Sequence, residues 1–407
     1  METESLNLLV QSYLKKLCEE IPERCVGSEG NRMATCFFEK EMSSFGWDTE
    51  MQEFEAIDWK DGGAKLQVDG SSFKVFVSPY SLGCDVEEHL ISVSSVEELE
   101  QMDIRGKIVL LHGEIAKEQL MPKNFVFHNP EEHQRIISLL EKGMPEAIIC
   151  ATGRNAALAG GVYPFPLIED GDFDIPSVYM TEDEGSKLFP YVGKTVVLKS
   201  ISKRIPGKGY NVIARKGKYL NERIVITAHI DAKKGTPGAI DNATGVVALL
   251  LLAKLLADYN GNWQIEIVAF NGEDYYAVPG QMLYIDTNRE RFNEILLNIN
   301  IDGAGYKEGK SAFSFYGLPE EIENNAKDVL SKFDEIIEGV QWLQGDHSIF
   351  IQNGRPAIAV SSEWFTENID CQEITHTPKD NIKIVDCQKV VEIAQALNLF
   401  VRKLKNT

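Results

Sequence analysis

The second half of the chain alternates between short apolar runs and longer segments with helical periodicity. Beyond residue 206, strand-length runs such as ERIVITAHI (222–230), NWQIEIVAF (262–270) and EILLNINID (294–302) are separated by segments such as ATGVVALLLLAKLLADY (243–259). Alternation of this kind is typical of a sheet whose connections are helices that cover both faces. The pattern therefore predicts an α/β fold with a mixed, mostly parallel sheet flanked by helices.

The first half divides into two regions with different patterns of apolar and polar residues. Residues 1–58 have the pattern of helix, glycine-rich turn, helix and strand, whereas residues 59–205 hold short apolar runs between glycine, proline and acidic loops. One helix is expected in this middle region, over EEHQRIISLLEKG (131–143). We expect residues 1–58 to pack on the sheet of residues 206–407 as one discontinuous domain. Residues 59–205 would then form a smaller, β-rich inserted domain.

Composition narrows the range of partners and compartments. The net charge of −21 argues against nucleic acid or an anionic membrane as partner, because both select basic surfaces. The longest apolar run, 246–252, is far shorter than the roughly 20 residues that cross a bilayer, and the acidic, periodic N-terminus is unlike a signal peptide. Seven cysteines without a Cys-x-x-Cys pair are typical of reduced thiols. We therefore expect a cytoplasmic protein; the oligomeric state leaves no signal in the sequence.

Residues with metal-binding side chains follow the predicted strands or begin the apolar helix. His229, the acidic pair Glu273-Asp274 and Asp302 come at or just after the ends of three strand-like runs. Asp241 precedes the apolar helix, where the helix dipole favours a carboxylate. Open α/β sheets bind ligands at the carboxyl ends of their strands, so we expect these side chains to meet in one crevice.

The chemistry of this set indicates a metal hydrolase. Imidazoles and carboxylates without thiolates suit zinc, with cobalt or manganese as substitutes. The series continues to a second histidine, His376, and one carboxylate between two histidine-bearing sites can bridge two ions about 3.5–4 Å apart. Asp231, two residues after His229, is placed to orient that ring. A dinuclear metal hydrolase is therefore the leading hypothesis.

Each residue also has an ordinary structural interpretation. With 62 acidic residues, a single carboxylate is most often a solvated surface group, and Glu266 and Glu294 are expected examples. Asp241 taken alone is equally well a helix cap. His128 and His133, in the middle region, are expected to be surface or packing histidines that bind no metal. The metal hypothesis is favoured by the order of the ligands, each after a strand or at the start of a helix.

The same residues lie in motifs that resemble a known family. The series runs His-x-Asp (229–231), GAIDNATG (238–245), FNGED (270–274), Asp302 and HTPKD (376–380). It resembles the co-catalytic zinc aminopeptidases, which include bacterial leucyl aminopeptidases, aminopeptidase Y, glutamate carboxypeptidase and the glutaminyl cyclases. Further similarity lies in RCVGSEGNRMA (24–34) and GDHSIFIQNGRPAI (345–358). In the middle region, DIRGKIVLL and IPSVYMT are similar to the protease-associated domain that several members insert.

The resemblance implies a ligand set for two zinc ions. One ion would be bound by His229 and Asp302. The other would be bound by Asp274 and His376, and Asp241 would bridge both.

The resemblance also implies the reaction and the residues that assist it. Glu273 would be the general base and Asp231 would orient His229. The discontinuous domain would be a zinc peptidase that hydrolyses N-terminal residues from peptides with a free N-terminus.

Two positions depart from the family pattern. The second acid of the pair is more often glutamate, and here it is Asp274, shorter by one methylene, which affects the strength or geometry of its metal site. Members often carry a tyrosine shortly before the Asp-His of the GDHSIF-like segment, where it helps to hold the oxyanion. This chain has Trp342 there instead, and we expect that side chain to pack in the core.

Three alternatives remain open at this stage. A carboxypeptidase on the same fold would need a basic side chain for the substrate carboxylate, and Arg355 is a candidate. A cyclising acyltransferase of the glutaminyl cyclase type would use the same metal ligands. A non-catalytic binding protein is less favoured, because every ligand position retains a competent residue.

The charges near the motifs favour a substrate with a free amine. An ammonium group can be met by carboxylates, whereas a carboxylate needs arginine or lysine. The acids near the motifs are Glu273, Asp274, Asp346 and Glu363, and the bases are Lys233, Lys234 and Arg355.

Overall fold

The chain folds into two compact units. The computed structural model describes residues 3–21, 23–154, 162–218, 222–261, 263–369 and 371–404. The first unit comprises Met1–Ala56, Lys208–Ile369 and Ile374–Thr407. The second unit comprises Ile57–Gly207 and Asp370–Glu373.

The strands are numbered in chain order. They are β1 (Asp48–Val68), β2 (Ser71–Phe73), β3 (Phe76–Val77), β4 (Cys84–Val93), β5 (Ile108–Leu111), β6 (Ala147–Thr152), β7 (Ser177–Thr181), β8 (Thr195–Lys216), β9 (Arg223–His229), β10 (Gln264–Phe270), β11 (Ile295–Ile301), β12 (Ser311–Tyr316), β13 (Ile336–Glu338) and β14 (Ala357–Ser362).

The α-helices of the described residues are numbered in the same way. They are α1 (Thr3–Lys15), α2 (Glu29–Ser44), α3 (Val96–Gln101), α4 (Glu131–Gly143), α5 (Glu182–Leu188), α6 (Thr244–Leu255), α7 (Pro279–Asn288), α8 (Glu320–Leu330), α9 (His347–Gln352), α10 (Glu363–Asn368) and α11 (Cys387–Lys403). Among these described residues, no helix has both the length and the apolarity needed to cross a membrane.

The sheet of the first unit is mixed and mostly parallel. Its strand order is β13-β12-β14-β11-β9-β10, followed by the C-terminal part of β8. β9 runs parallel to β10 and β11, and β11 runs parallel to β14. β12 and β8 are antiparallel to their neighbours β14 and β10.

Helices cover both faces of this sheet because both faces are apolar. Helix α6 is buried on every side, and α1, α2 and α11 contact it. This layer packs on alternate sheet residues, including Ile358 and Val360 of β14. Ala357 and Ala359 of the same strand point to the opposite face, where Ile351 of α9 packs on them. The predicted fold class, an α/β fold with a mixed, mostly parallel sheet and flanking helices, is confirmed.

The second unit has a parallel sheet of its own. Strands β4, β5, β6 and β7 are parallel, and the short β3 joins β7 in antiparallel orientation. Alternate residues of the central strands face two separate apolar clusters. One contains residues of α3 and α4, and the other contains Leu188 of α5. The helix predicted over 131–143 is confirmed as α4.

Candidate metal centre

The predicted ligands stand where three adjacent parallel strands end. Phe270, the last residue of β10, is paired with His229, the last residue of β9, and β11 on the other side of β9 ends directly before Asp302. Glu273 and Asp274 follow β10 by three and four residues. The carboxyl ends of the strands thus bring these side chains to one edge of the sheet, as expected for an open α/β fold.

Asp241 lies between the two histidines. Its Oδ1 atom is 3.1 Å from Nε2 of His229, and its Oδ2 atom is 3.2 Å from Nε2 of His376. On the outer sides, His229 Nε2 is 3.5 Å from Asp302 Oδ1, and His376 Nε2 is 2.9 Å from Asp274 Oδ1. The two oxygens of one carboxylate therefore face two different imidazoles, each accompanied by a further carboxylate.

Several polar atoms at this centre are buried without a hydrogen-bond partner in the described part of the chain. They include both ring nitrogens of His229 and Oδ2 of Asp274. Ligand atoms of His229, Asp241 and Asp274 lie within 4.8 Å of one another. Nitrogen and oxygen donors grouped in this way, with lone pairs that the protein does not use, fit a divalent metal ion such as zinc.

Asp231 holds the turn that carries the acidic pair. Its carboxylate accepts hydrogen bonds from the backbone amides of Gly272, Glu273 and Asp274, at 2.8, 3.3 and 3.0 Å. The distance from its Oδ1 to Nδ1 of His229 is 3.6 Å, longer than a hydrogen bond. The orientation of His229 was the role expected from the sequence. The three amide contacts are a second role, which the spacing His-x-Asp does not reveal.

Glu273 lies in a strongly anionic environment. Burial raises the pKa of its carboxyl group well above the usual value. Asp274, Asp302 and Asp346 raise it further, and the opposing effect of His229 is smaller than the effect of burial. A carboxylate whose pKa is raised by its surroundings is a stronger base, which suits proton transfer near neutral pH.

The two histidines and Asp241 form a mutually stabilised charge cluster. Burial alone would lower the pKa of His229, but Asp302, Asp231 and Asp241 raise it well above the usual value. The pKa of His376 is raised in the same way by Asp274 and Asp241, against the effect of burial. Burial opposes ionisation of Asp241, yet the neighbouring imidazoles of His229 and His376 lower its pKa. The carboxylates of this centre thus attract positive charge strongly.

The side chain of Asp274 is buried. Burial, followed by the charge of Asp241, raises the pKa of its carboxyl group, while His376 opposes the shift. One oxygen faces His376 at 2.9 Å and the other has no hydrogen-bond partner among the described residues. The aspartate therefore reaches the centre with one oxygen placed against the second histidine.

Trp342 is half-buried rather than in the core, and it packs against the small apolar cluster of Tyr316, Ala357 and Ala359. Its ring lies 4.5 Å from the ring of His347, centroid to centroid, in an edge-to-face arrangement. A tyrosine, Tyr316, lies near Trp342, but it belongs to β12 and not to the segment just before Asp346 and His347. The hydroxyl of Tyr316 accepts a hydrogen bond from the Trp342 amide at 2.7 Å and donates to its carbonyl at 2.5 Å. That hydroxyl is thus committed to the backbone of residue 342.

Two further buried carboxylates, Asp380 and Asp346, lie near the centre. Asp380, within the HTPKD motif, accepts backbone hydrogen bonds from Ile240 at 2.7 Å and Asp241 at 3.1 Å. Asp346 accepts a side-chain hydrogen bond from Nε2 of Gln281 at 3.0 Å. Its other oxygen is buried without a partner in the described residues. Burial raises the pKa of each to about 7. Sequence spacing alone does not bring either carboxylate to the crevice.

The charged residues weighed for substrate recognition are distributed unevenly. Arg355 donates to the carbonyl of Ile295 at the start of β11, whereas Asp302 follows the end of that strand, about 20 Å away at 3.3 Å per residue. Glu363 accepts the backbone amide of Lys310 at 2.9 Å. Lys234 pairs with Glu23 at 3.7 Å. Arg355 is therefore not at the metal centre.

The two histidines of the second unit have ordinary surroundings. His133 is buried, accepts the backbone amide of Met121 at 3.1 Å and lies 3.3 Å from Glu118. His128 is exposed. Neither belongs to a group of metal-type ligands among the described residues.

Comparison with known proteins supports the resemblance seen in the motifs. Residues 211–401 match the model of peptidase family M28, and this range contains every predicted ligand. The predicted resemblance to this family is thus confirmed over residues 211–401.

Individual relatives are similar over different lengths. The chain is 21% identical to aminopeptidase YwaD of Bacillus subtilis (strain 168) over 246 residues, which is 58% of this chain and 53% of that protein. The matches to leucine aminopeptidase 2 of Arthroderma otae and of Trichophyton equinum cover 38% of those proteins, so the chain spans about half or less of the length of these curated relatives.

Among solved structures, BSAP, a zinc aminopeptidase from Bacillus subtilis, matches 98% of this chain and 96% of its own, with a TM-score of 0.75 and 19% identity. A glutaminyl cyclase from Porphyromonas gingivalis matches 99% of each chain with a TM-score of 0.52 and 14% identity. At these identities the likeness concerns the fold.

Proposed function

We propose that this protein is a dinuclear zinc aminopeptidase that removes N-terminal residues from peptides. The observation that carries the proposal is the position of Asp241, whose two oxygens lie 3.1 and 3.2 Å from the imidazoles of His229 and His376. In this proposal His229 and Asp302 would hold one ion, Asp274 and His376 would hold the other, and Asp241 would be shared by both.

Glu273 is the proposed general base. Zinc, when bound, supplies Lewis-acid activation of a water molecule and of the scissile carbonyl group. Glu273 would take the proton of the attacking water and pass it to the leaving amine. Asp231 holds the backbone amides of Glu273 and Asp274, so it keeps the base and a metal ligand in register with each other.

The acidic surroundings support an ammonium group as the recognised end of the substrate. Asp346 retains a buried oxygen that has no hydrogen-bond partner among the described residues. Arg355, the cation considered for a carboxypeptidase, binds Ile295 at the far end of β11. A free N-terminus is therefore the proposed requirement, consistent with the aminopeptidases among the similar proteins.

The second unit is proposed to be an insertion of the protease-associated type. Its histidines and acids are engaged in local contacts or exposed, so the proposed centre is built from the first unit. The scattered cysteines support a cytoplasmic location.

The test compares one peptide in four forms. The free peptide, its N-acetylated form, its C-terminal amide and a variant with N-terminal glutamine are incubated with zinc-loaded protein, and products are identified by mass spectrometry. We expect hydrolysis of the free peptide and its amide, and none of the acetylated form. Cleavage that requires a free C-terminus would indicate a carboxypeptidase, and cyclisation of N-terminal glutamine an acyltransferase. Zinc binding without turnover of any form would indicate a binding protein.

A further inference from the structure

Arg24, in the N-terminal motif RCVGSEGN, is buried although it has no acidic partner within hydrogen-bond distance among the described residues. Only 2% of the residue is exposed. Its guanidinium group donates to four backbone carbonyls, those of Ile230 (3.0 Å), Leu17 (2.9 Å), Pro237 (2.8 Å) and Gly238 (2.7 Å). Burying a cation costs free energy unless hydrogen bonds replace its contacts with water. Here the backbone carbonyls accept those hydrogen bonds.

The carbonyls that Arg24 contacts belong to two segments that carry metal ligands. Ile230 lies between His229 and Asp231 in sequence, and Pro237-Gly238 comes shortly before Asp241. Arg24 therefore ties the end of β9 to the loop that bears the bridging carboxylate.

Packing in this loop is tight at Gly238, beside the guanidinium group. Gly238 has a φ of +58°, and a Cβ atom added there would lie 2.7 Å from Nη2 of Arg24 and 2.6 Å from the carbonyl oxygen of Asp241. Only glycine fits a backbone in this conformation and at this distance. The arginine and the Asp241 backbone are thus packed against the same residue.

Asp380 holds the same loop from its amide side. Its carboxylate accepts the amides of Ile240 and Asp241, and its carbonyl accepts the amide of Ala239 at 3.3 Å. A buried cation therefore binds the carbonyls at one end of segment 237–241, and a buried anion binds the amides at the other. Together these groups fix the backbone from which the Asp241 side chain projects.

The motif around Arg24 is itself anchored to the third ligand-bearing loop. Asn31 donates from Nδ2 to the carbonyl of Arg24 and to Oδ1 of Asn271, both at 2.8 Å. Asn271 follows β10 directly and precedes Glu273 by two residues. The turn is so tight that a Cβ atom on Gly30 would lie 1.9 Å from the carbonyl oxygen of Glu23. The position of Arg24 is therefore coupled to the loop of the proposed base.

We propose that Arg24 is a positioning residue of the metal centre, acting with Asp380 to set the bridging carboxylate between the two histidines. The inference rests on the proposed function for the identity of the metal, but the clamp consists of this chain's own atoms. Lysine keeps the charge but offers three donors from one nitrogen, whereas the four carbonyls are met by the planar fork of a guanidinium group.

The test compares Arg24→Lys with Arg223→Lys. Arg223 is a matched control, because it is 1% exposed and begins the same strand that ends at His229. Each purified protein is stripped of metal and titrated with zinc against a chromogenic chelator, and its cobalt-loaded form is examined by visible absorption. We expect Arg24→Lys to bind zinc about tenfold to hundredfold more weakly, the range found when groups that hold metal ligands are changed. Its cobalt spectrum should change and kcat should fall with KM nearly constant.

The outcomes separate this inference from the proposed function. Arg223→Lys should lower the melting temperature while leaving zinc affinity and the cobalt spectrum as in the wild type. Wild-type protein that binds two zinc ions, with Arg24→Lys binding them equally well and with the same spectrum, would overturn the positioning role alone. Wild-type protein that binds no zinc would overturn both.

Circular dichroism would reveal whether Arg24→Lys fails to fold. In that case a second variant, Asp380→Asn, tests the proposal. Asp380→Asn keeps the shape of the side chain and one acceptor oxygen, so it loosens the clamp from the opposite side. Weaker zinc binding in Asp380→Asn supports the clamp, and unchanged zinc binding contradicts it.

Discussion

The two ends of β9 both carry buried charge, but they neutralise it differently. At the start of the strand, Arg223 lies 3.5 Å from Glu266 and 2.8 Å from Glu294. Glu266 also binds Arg215 at 2.7 Å and accepts the hydroxyl of Tyr284 at 2.8 Å. Arginines of the protein itself therefore neutralise the carboxylates at the start of β9.

At the other end of β9, carboxylates outnumber the cationic groups beside them. The acids are Asp231, Asp241, Glu273, Asp274 and Asp302, and the bases are His229, His376 and Lys233, whose charge acts on Asp274. Buried ligand atoms at this end lack hydrogen-bond partners among the described residues. The start of β9 therefore balances its buried charge within the protein, whereas the carboxylates at its end favour positive charge from outside the chain.

The largest expected effect separates the base from the ligands. Glu273→Gln should reduce kcat by about 10²–10⁴-fold, because the amide cannot transfer the proton. Both zinc ions should remain bound, since Glu273 is not a proposed ligand. Steady-state kinetics and metal analysis on the same preparation test this. Loss of zinc together with activity would make Glu273 a ligand, and activity within tenfold of wild type would remove it as the base.

The next effect concerns the start of β9, where Arg223 is paired with carboxylates. Glu266→Gln should lower the free energy of unfolding by about 1–3 kcal/mol, because it removes one of the two carboxylates beside the buried Arg223 and weakens the hydrogen bonds from Arg215 and Tyr284. Zinc content should not change. Denaturant unfolding measures the loss, and Asp286→Asn is the control, because that carboxylate forms only an exposed pair with Arg289. If Glu266→Gln removed zinc, the two ends of the strand would not be independent.

A smaller effect is expected at the shortened ligand. Asp274→Glu should be tolerated, with two zinc ions bound and kcat within about tenfold of wild type, because the added methylene restores the more common family residue. In wild-type protein, chelator should remove the ion held by Asp274 and His376 before the other. Release of both ions in one step during a chelator titration would contradict this order.

The smallest effect is expected in the second unit. His128→Ala and His133→Ala should each leave zinc content unchanged, because His133 binds Met121 and Glu118 and His128 is exposed. Metal analysis of the two variants is sufficient. A fall in bound zinc for either one would place a ligand in the second unit.

The sequence predicts the parts of this fold that depend on local periodicity. The alternation after residue 206 predicts the mixed sheet, and the apolar segment around 243–259 predicts α6, because each pattern reflects burial on one or both faces. The ligand residues stand out because each follows a strand or begins a helix. Those features require only the order of residues along the chain.

What the sequence does not reveal depends on contacts between distant segments. Glu266 was expected to be a solvated surface group, and this is wrong. It is 2% exposed, because Arg215 and Arg223 from neighbouring strands neutralise it. The contacts of Arg24 with Ile230 and Gly238 join residues more than 200 positions apart. A carbonyl group leaves no side-chain signature, so no residue pattern predicts such a contact.

The most direct measurement is the zinc content of wild-type protein and Asp241→Ala after equilibrium dialysis against buffered zinc. We expect two zinc ions per wild-type chain and at most one in Asp241→Ala, because that variant removes the carboxylate that faces both histidines. Circular dichroism should show that both proteins are folded. No zinc in the wild type, or two ions in Asp241→Ala, would contradict the claim that Asp241 bridges a pair of metal ions.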